Sequence, residues 1–292
     1  MRKRGNRLGF KIFEISLKIF GLSGAYGLLY FVCLYYLVFD RQVVSSSLAY
    51  IKRRFRDYNA FERIWGVYRL LISQGKSLVD RYYFASASGQ FDFEVRGLEM
   101  VKSLLNDSQK GLILLTTHTG NWQINSAYLH ELQRTVYLLM RPEDNIAVKE
   151  ALNIDGEKEW IKVISPENPL ESVIEMLKVI DRGDIVSIMG DRSYGADVTE
   201  VDFLGAPAQF PYTAFSLAAS AQCPVVVFLS AKLSNNKYLV DMSHIIQPRY
   251  NSSSKKREQI AAWVSEFAGI MENYVETYPF QWFCFQDIWG DN

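Results

Sequence analysis

The sequence predicts an α/β protein: an αβα sandwich with a largely parallel sheet, preceded by an N-terminal membrane helix. Three observations carry this. Short apolar runs at residues 112–117, 184–190 and 224–230 alternate with amphipathic segments, the pattern of strands buried on both faces between helices. Several of these runs end in polar residues, at the sheet rim where ligands meet such folds. Residues 19–39 carry no charged side chain, and a hydrocarbon core is crossed by about 20 apolar residues in a helix.

The chain has 292 residues, enough for a sizeable core. Lys and Arg total 32, Asp and Glu also 32, so no overall charge argues for nucleic acid. There is no Walker loop and no GxGxxG, so nucleotide use is unsupported, and no Gly-x-Ser-x-Gly elbow marks a hydrolase. The three cysteines, Cys33, Cys223 and Cys284, are far apart in apolar runs and read as buried thiols in a reducing compartment. The three histidines, His118, His130 and His244, lack the spacing of a metal site.

The start is basic, with Arg2, Lys3, Arg4 and Arg7. Residues 10–20 carry Lys11, Glu14 and Lys18 and read as an amphipathic lead-in at a membrane surface. Residues 19–39 follow as the apolar helix, with tyrosines suited to interfacial depth at its ends. A signal peptide is disfavoured, because the run is long and Phe39-Asp40-Arg41, not a small-residue cleavage site, follows it. Arg41, Lys52, Arg53, Arg54 and Arg56 lie beyond it, so basic residues flank both sides. A full span, a helix in one leaflet with both ends cytoplasmic, and a buried hydrophobic helix all remain open. Residues 43–56 and 58–84 read as helices whose basic residues face either anionic head groups or water. Residues 86–89 form a loop. The chain thus divides into a membrane-associated segment 1–42, a helical membrane-proximal segment 43–90 and an α/β domain 91–292.

In that domain residues 91–97 alternate like a strand, and 98–109 read as a helix. The strand 112–117 delivers His118, and Thr119-Gly120-Asn121 turns the chain into a helix reaching about residue 133. A strand at 135–140 ends in Arg141-Pro142, and a short strand follows at 161–165. A helix at 169–182 closes at Gly183. The strand 184–190 runs into Asp191-Arg192. Residues 201–205 lead into a helix at 212–222. A strand at 224–230, a second at 238–246 beside it, and a long helix at 255–278 complete the chain. His118, Arg141 and Asp191-Arg192 therefore converge at strand ends.

The His118 stretch resembles the His-x4-acid motif of the bacterial lipid A acyltransferase family, which often shows Gly-Asn-Trp after the histidine, as Gly120-Asn121-Trp122 here. The motif's acid is replaced by Gln123. Arg141-Pro142 with Asn145, the stretch Gly190-Asp191-Arg192-Ser193-Tyr194-Gly195, Val201-Asp202-Phe203-Leu204-Gly205-Ala206-Pro207 and Pro279-Phe280-Gln281-Trp282 resemble further blocks in the same order. The resemblance implies a fold like glycerol-phosphate acyltransferases. It implies acyl transfer from acyl carrier protein or coenzyme A, with no other cofactor and no metal, to a membrane lipid or glycolipid at the inner membrane of a Gram-negative bacterium, the catalytic domain on the cytoplasmic face. His118 would be the general base, since a free alcohol is a poor nucleophile. Gln123 takes the place of the group that orients it, and Asn121, Arg141, Asp191 and Arg192 would bind substrate or the oxyanion. The bland role for the two arginines is an ion pair, with Asp191 as partner. Gln123 leaves three readings open: its carbonyl suffices as an orienting acceptor, another acid such as Asp191 approaches His118, or the chain is a weakened relative that binds lipid or a partner without catalysis.

Overall fold

A computed structural model describes residues 7–85, 90–141, 160–193 and 197–290. The loop expected at 86–89 lies outside these residues, as do Pro142, Asn145, Tyr194 and Gly195 of the family-like blocks.

Three helices open the chain: α1 (Arg7–Phe39), α2 (Arg41–Arg54) and α3 (Ala60–Ala85). Within α1, Gly21 has φ 64° and ψ −163°, a conformation open to glycine, and the helix kinks there. The kink falls where the charged lead-in gives way to the uncharged run. From Lys11 to Phe39 the helix is long and apolar enough to cross a membrane. Asp40 starts α2 by accepting a hydrogen bond from the Val43 N–H at 3.1 Å.

The α/β body follows as β1 (Asp92–Arg96), α4 (Leu98–Asp107), β2 (Leu112–Thr116), α5 (Trp122–Asn125) running into a 3₁₀ helix at Ser126–Leu132, β3 (Val136–Leu139) and β4 (Ile161–Ile164). Then come α6 (Pro169–Asp181), β5 (Ile185–Met189), β6 (Val198–Phe203), β7 (Ala206–Pro211), α7 (Thr213–Ala221), β8 (Val225–Lys232), β9 (Lys237–Ile246) and α8 (Lys256–Thr277). Seven strands form one sheet in the order β1-β9-β8-β2-β5-β3-β4. Every neighbouring pair is parallel except β8 and β9. The expected mixed α/β sandwich is what the chain adopts.

β2 is central and wholly buried, which its Leu-Ile-Leu-Leu run dictates. Alternate side chains serve opposite faces. Ile113 and Leu115 join the core shared with α6, α7, α8 and the N-terminal helices, while Leu112 and Leu114 join the core under α4 and the 3₁₀ helix. Gly111 admits β2 alongside β5, because a Cβ there would stand 1.7 Å from the Asp184 carbonyl oxygen.

Two segments depart from expectation. Residues 198–211 form a hairpin rather than a simple approach to the next helix. Val201, Phe203, Ala208 and Phe210 alternate inward, and Leu204 and Gly205 both take positive φ, the backbone of a two-residue I′ turn. The helix expected over 121–133 is four α-helical residues followed by a 3₁₀ run. The Ser126 hydroxyl bonds the Gln123 carbonyl at 2.7 Å, and Asn125 Nδ2 donates to Ser230 Oγ and to the Leu239 carbonyl, each at 2.7 Å. These bonds tie the first turn to the sheet and compete with the α-helical ladder.

Arg53 and Arg54 of α2, and Arg56 just beyond it, fasten the helices to the body. Arg54 donates to the Val275 and Glu276 carbonyls, Arg56 to the Leu204 carbonyl, and the Arg53 guanidinium lies 4.5 Å from the Trp289 ring centre. Deeper in, the fully buried Asp80 of α3 accepts from Tyr26 of α1, from Tyr238 of β9, and from Lys232 of β8 at 2.5 Å. One carboxylate thus joins both long N-terminal helices to the sheet.

Candidate active site

Parallel pairing of β2 with β5 puts Thr116 opposite Met189. Two residues further along each strand stand His118 and Asp191, so the register itself brings them side by side at the rim. His118 Nδ1 lies 2.8 Å from Asp191 Oδ1, and the His118 backbone N–H donates to Asp191 Oδ2 at 2.9 Å. Asp191 is fully buried, while 19% of the His118 side chain is exposed. With Nδ1 turned inward, Nε2 is the ring nitrogen on the open side.

A third contact completes the carboxylate: Trp282 Nε1 donates to Asp191 Oδ2 at 2.8 Å. Burial alone pushes the Asp191 carboxyl up, but the charge and hydrogen bonds of His118, with Arg192 adding charge, outweigh it and hold the group below its ordinary value. Asp191 is therefore a fixed anion behind the imidazole.

The turn after His118 is held from all sides. Phe283 N–H donates to the His118 carbonyl at 2.7 Å and Gly120 N–H to the Gln281 carbonyl at 2.8 Å. Gly120 has φ 51°, and a Cβ there would meet the Ser230 carbonyl at 2.4 Å. Thr119 Oγ1 accepts from Ser230 N–H at 3.1 Å. The Ser77 hydroxyl of α3 donates to the Gly120 carbonyl at 2.9 Å, so α3 also sets this turn.

Beside His118 opens a groove of about 440 Å³ between α1, α3 and the sheet rim. Its wall is mostly apolar, with Leu17, Leu29, Val32 and Tyr36 from α1 and Leu71 and Val79 from α3. His118, Gln123 and Arg192 line it as well, with Gln74 and Arg81 of α3.

The expected site residues divide accordingly. His118, Asp191 and Arg192 come together. Arg192 does not pair with a carboxylate alone: it donates to the Phe283 carbonyl at 3.1 Å and to the Cys284 carbonyl. Gln123 borders the groove, and the atom facing His118 Nδ1 belongs to Asp191. Asn121 is buried and caps α5, accepting from Ile124 N–H at 3.4 Å and donating from Nδ2 to the Ser77 carbonyl at 2.7 Å. Arg141 is exposed just past β3, on the far side of β5 from β2. In the sequence Trp282 stands out only as part of a family-like block, and nothing in its type or spacing announces a bond to Asp191. Burial raises the Cys223 and Cys284 thiols to about 12 each, so both are inert. Among the described residues no group of His, Cys, Asp and Glu could hold a metal ion.

Residues 83–290 match the bacterial lipid A biosynthesis acyltransferase family. The chain belongs to that family. The match covers the whole sheet, the His118–Asp191 pair and Trp282, so membership rests on the body that carries the site. Among curated proteins, none matches the sequence significantly. As an acyltransferase of this family the chain is a transferase, and its apolar N-terminal helix accords with a membrane location.

Proposed function

We propose that the protein moves a fatty acyl chain from an acyl carrier protein or coenzyme A thioester to a hydroxyl of a lipid or glycolipid acceptor, at the cytoplasmic face of the inner membrane. One observation carries this: an imidazole backed by a buried carboxylate lines a largely apolar groove.

In this reading His118 Nε2 takes the proton of the acceptor hydroxyl as its oxygen attacks the thioester carbonyl carbon. Asp191 holds Nδ1–H and stabilises the imidazolium that forms. Arg192 brings positive charge to the side where the tetrahedral oxyanion develops. The intermediate then collapses with cleavage of the carbon–sulfur bond, and the His118 proton passes to the leaving thiolate. The acyl chain occupies the groove between α1 and α3. Asp191 supplies the carboxylate that Gln123 lacks, which supports an enzyme over a weakened, lipid-binding relative.

The test is turnover of acyl carrier and coenzyme A thioesters by the purified protein in detergent with candidate lipid acceptors. Thioester consumption that disappears in His118→Ala supports the reading. No turnover with any donor, together with unchanged cellular lipids in His118→Ala, would overturn it.

A further inference from the structure

The two faces of α1 set a problem. Its inner stripe, through Ala25, Tyr26, Leu29 and Cys33, is packed into the protein core. Its outer stripe is also apolar but open to solvent, with Ile19, Phe31, Leu34 and Val38 each more than half exposed. The neighbouring α3 runs antiparallel to it, and Phe61 and Trp65, both exposed, extend the same apolar plane beside Tyr30, whose carbonyl accepts from Tyr68 at 2.9 Å.

A crossing helix must leave the body behind, and α1 does not. Phe13 and Leu17 before the Gly21 kink line the same groove as Val32 and Tyr36 after it, together with α3 residues from Leu71 to Tyr82, so α3 and the groove accompany α1 on both sides of the kink. The companion α3 carries Glu62, Arg63, Arg69, Lys76, Asp80 and Arg81. A transbilayer α1 would draw these charges and the sheet rim into hydrocarbon, where ionised groups are heavily penalised. Gly75 seals the pairing, since a Cβ there would stand 2.8 Å from Leu29.

The edge of the plane is cationic. Where α1 ends, Arg41 and Lys52 flank a cavity of about 310 Å³ whose apolar lining is Leu37, Val44 and Leu48 and whose one acid is Asp287. An apolar floor rimmed by two exposed cations fits the boundary between acyl chains and anionic head groups.

We infer that α1 and α3 form one apolar plane that lies in a single leaflet of an anionic bilayer, with both ends of α1 on the same side, and that α1 does not cross. The groove beside His118 then opens at leaflet depth, so a lipid tail reaches the site laterally without leaving the membrane. The inference deepens the membrane location of the proposed acyltransferase, and its test reads no catalysis, so the two fail separately.

The full chain with an epitope tag at each end, expressed in a Gram-negative host, is treated with protease in spheroplasts and in inside-out vesicles. Both tags protected in the first and both cleaved in the second is the expected result. A tag cleaved in spheroplasts while the other is protected would overturn the inference in favour of a span. Recovery of the wild-type chain outside the membrane fraction would also overturn it, in favour of a second copy or another protein covering the plane. Phe31→Asp with Leu34→Asp, neither residue lining the groove, is expected to lower membrane-bound protein on the order of tenfold with circular dichroism unchanged. Unaltered membrane retention of that folded variant counts against the leaflet contact.

Discussion

Asp191, fully buried on β5, holds the Nδ1 of His118 on β2 at 2.8 Å, across 73 positions of sequence. Replacing that carboxylate by an amide keeps the shape and removes the charge. In serine proteases the same change costs about 10⁴-fold in turnover. Asp191→Asn is expected to lose activity on that order with a KM changed much less, measured by steady-state thioester turnover. A loss under about tenfold would remove Asp191 from the catalytic assignment.

The same carboxylate makes stability depend on acid. Its pKa is held below the ordinary 3.8 in the folded chain, so the unfolded chain binds the proton more tightly. The stabilisation is fully present above that ordinary value and is lost as pH falls through the lower, folded one. Melting temperatures of the wild type and Asp191→Asn are therefore expected to differ at neutral pH and to converge in strong acid. A gap that stays constant down to about pH 2 would contradict this.

Gln123 borders the groove while Asp191 faces the imidazole, so restoring an acid at position 123 has no vacancy to fill. Gln123→Glu is expected to keep turnover within about tenfold of wild type. A gain of 10²-fold or more would show that position 123 limits catalysis after all.

Trp282 is buried and donates to Asp191. A hydrogen bond to a charged group contributes about 1.5–3 kcal/mol, which converts to roughly 10- to 100-fold if expressed wholly in rate. Trp282→Phe should lie in that range. Retention of full activity would mean that the backbone N–H of His118 alone positions the carboxylate.

Asp80 is buried with Lys232 at 2.5 Å and two tyrosine hydroxyls. Removing one partner of such a pair typically costs about 3–5 kcal/mol. Lys232→Met is expected to destabilise the chain by that order in denaturant titration and to make α1 and α3 more susceptible to protease than the sheet. Uniform protease resistance would show that Asp80 is not what binds the helices down.

The strands were legible because β2, β5 and β8 are buried on both faces and therefore had to be apolar throughout. The kink at Gly21 coincided with a change in charge density that any reader of the sequence can see. The hairpin was harder: Val201-Asp202-Phe203 alternates over too few residues to stand out, and its turn begins with Leu204, which rarely takes positive φ. His118 was legible because it ends a buried strand. Its partner Asp191 stood only as one of three readings, because pairing depends on strand order, and β5 lies beside β2 although β3 and β4 intervene in sequence. Neither reading of the basic run, head groups or water, included the place Arg54 takes, since composition cannot distinguish an arginine facing lipid from one bonded to the carbonyls of α8.

Residues 281–284 clasp the turn after His118, the Asp191 carboxylate and Arg192 at once. On the ribosome this stretch emerges after α1 and after every strand has been made. A product ending before Gln281 therefore keeps every strand of its sheet but lacks the clasp that fixes the His118 turn, the Asp191 carboxylate and Arg192 together.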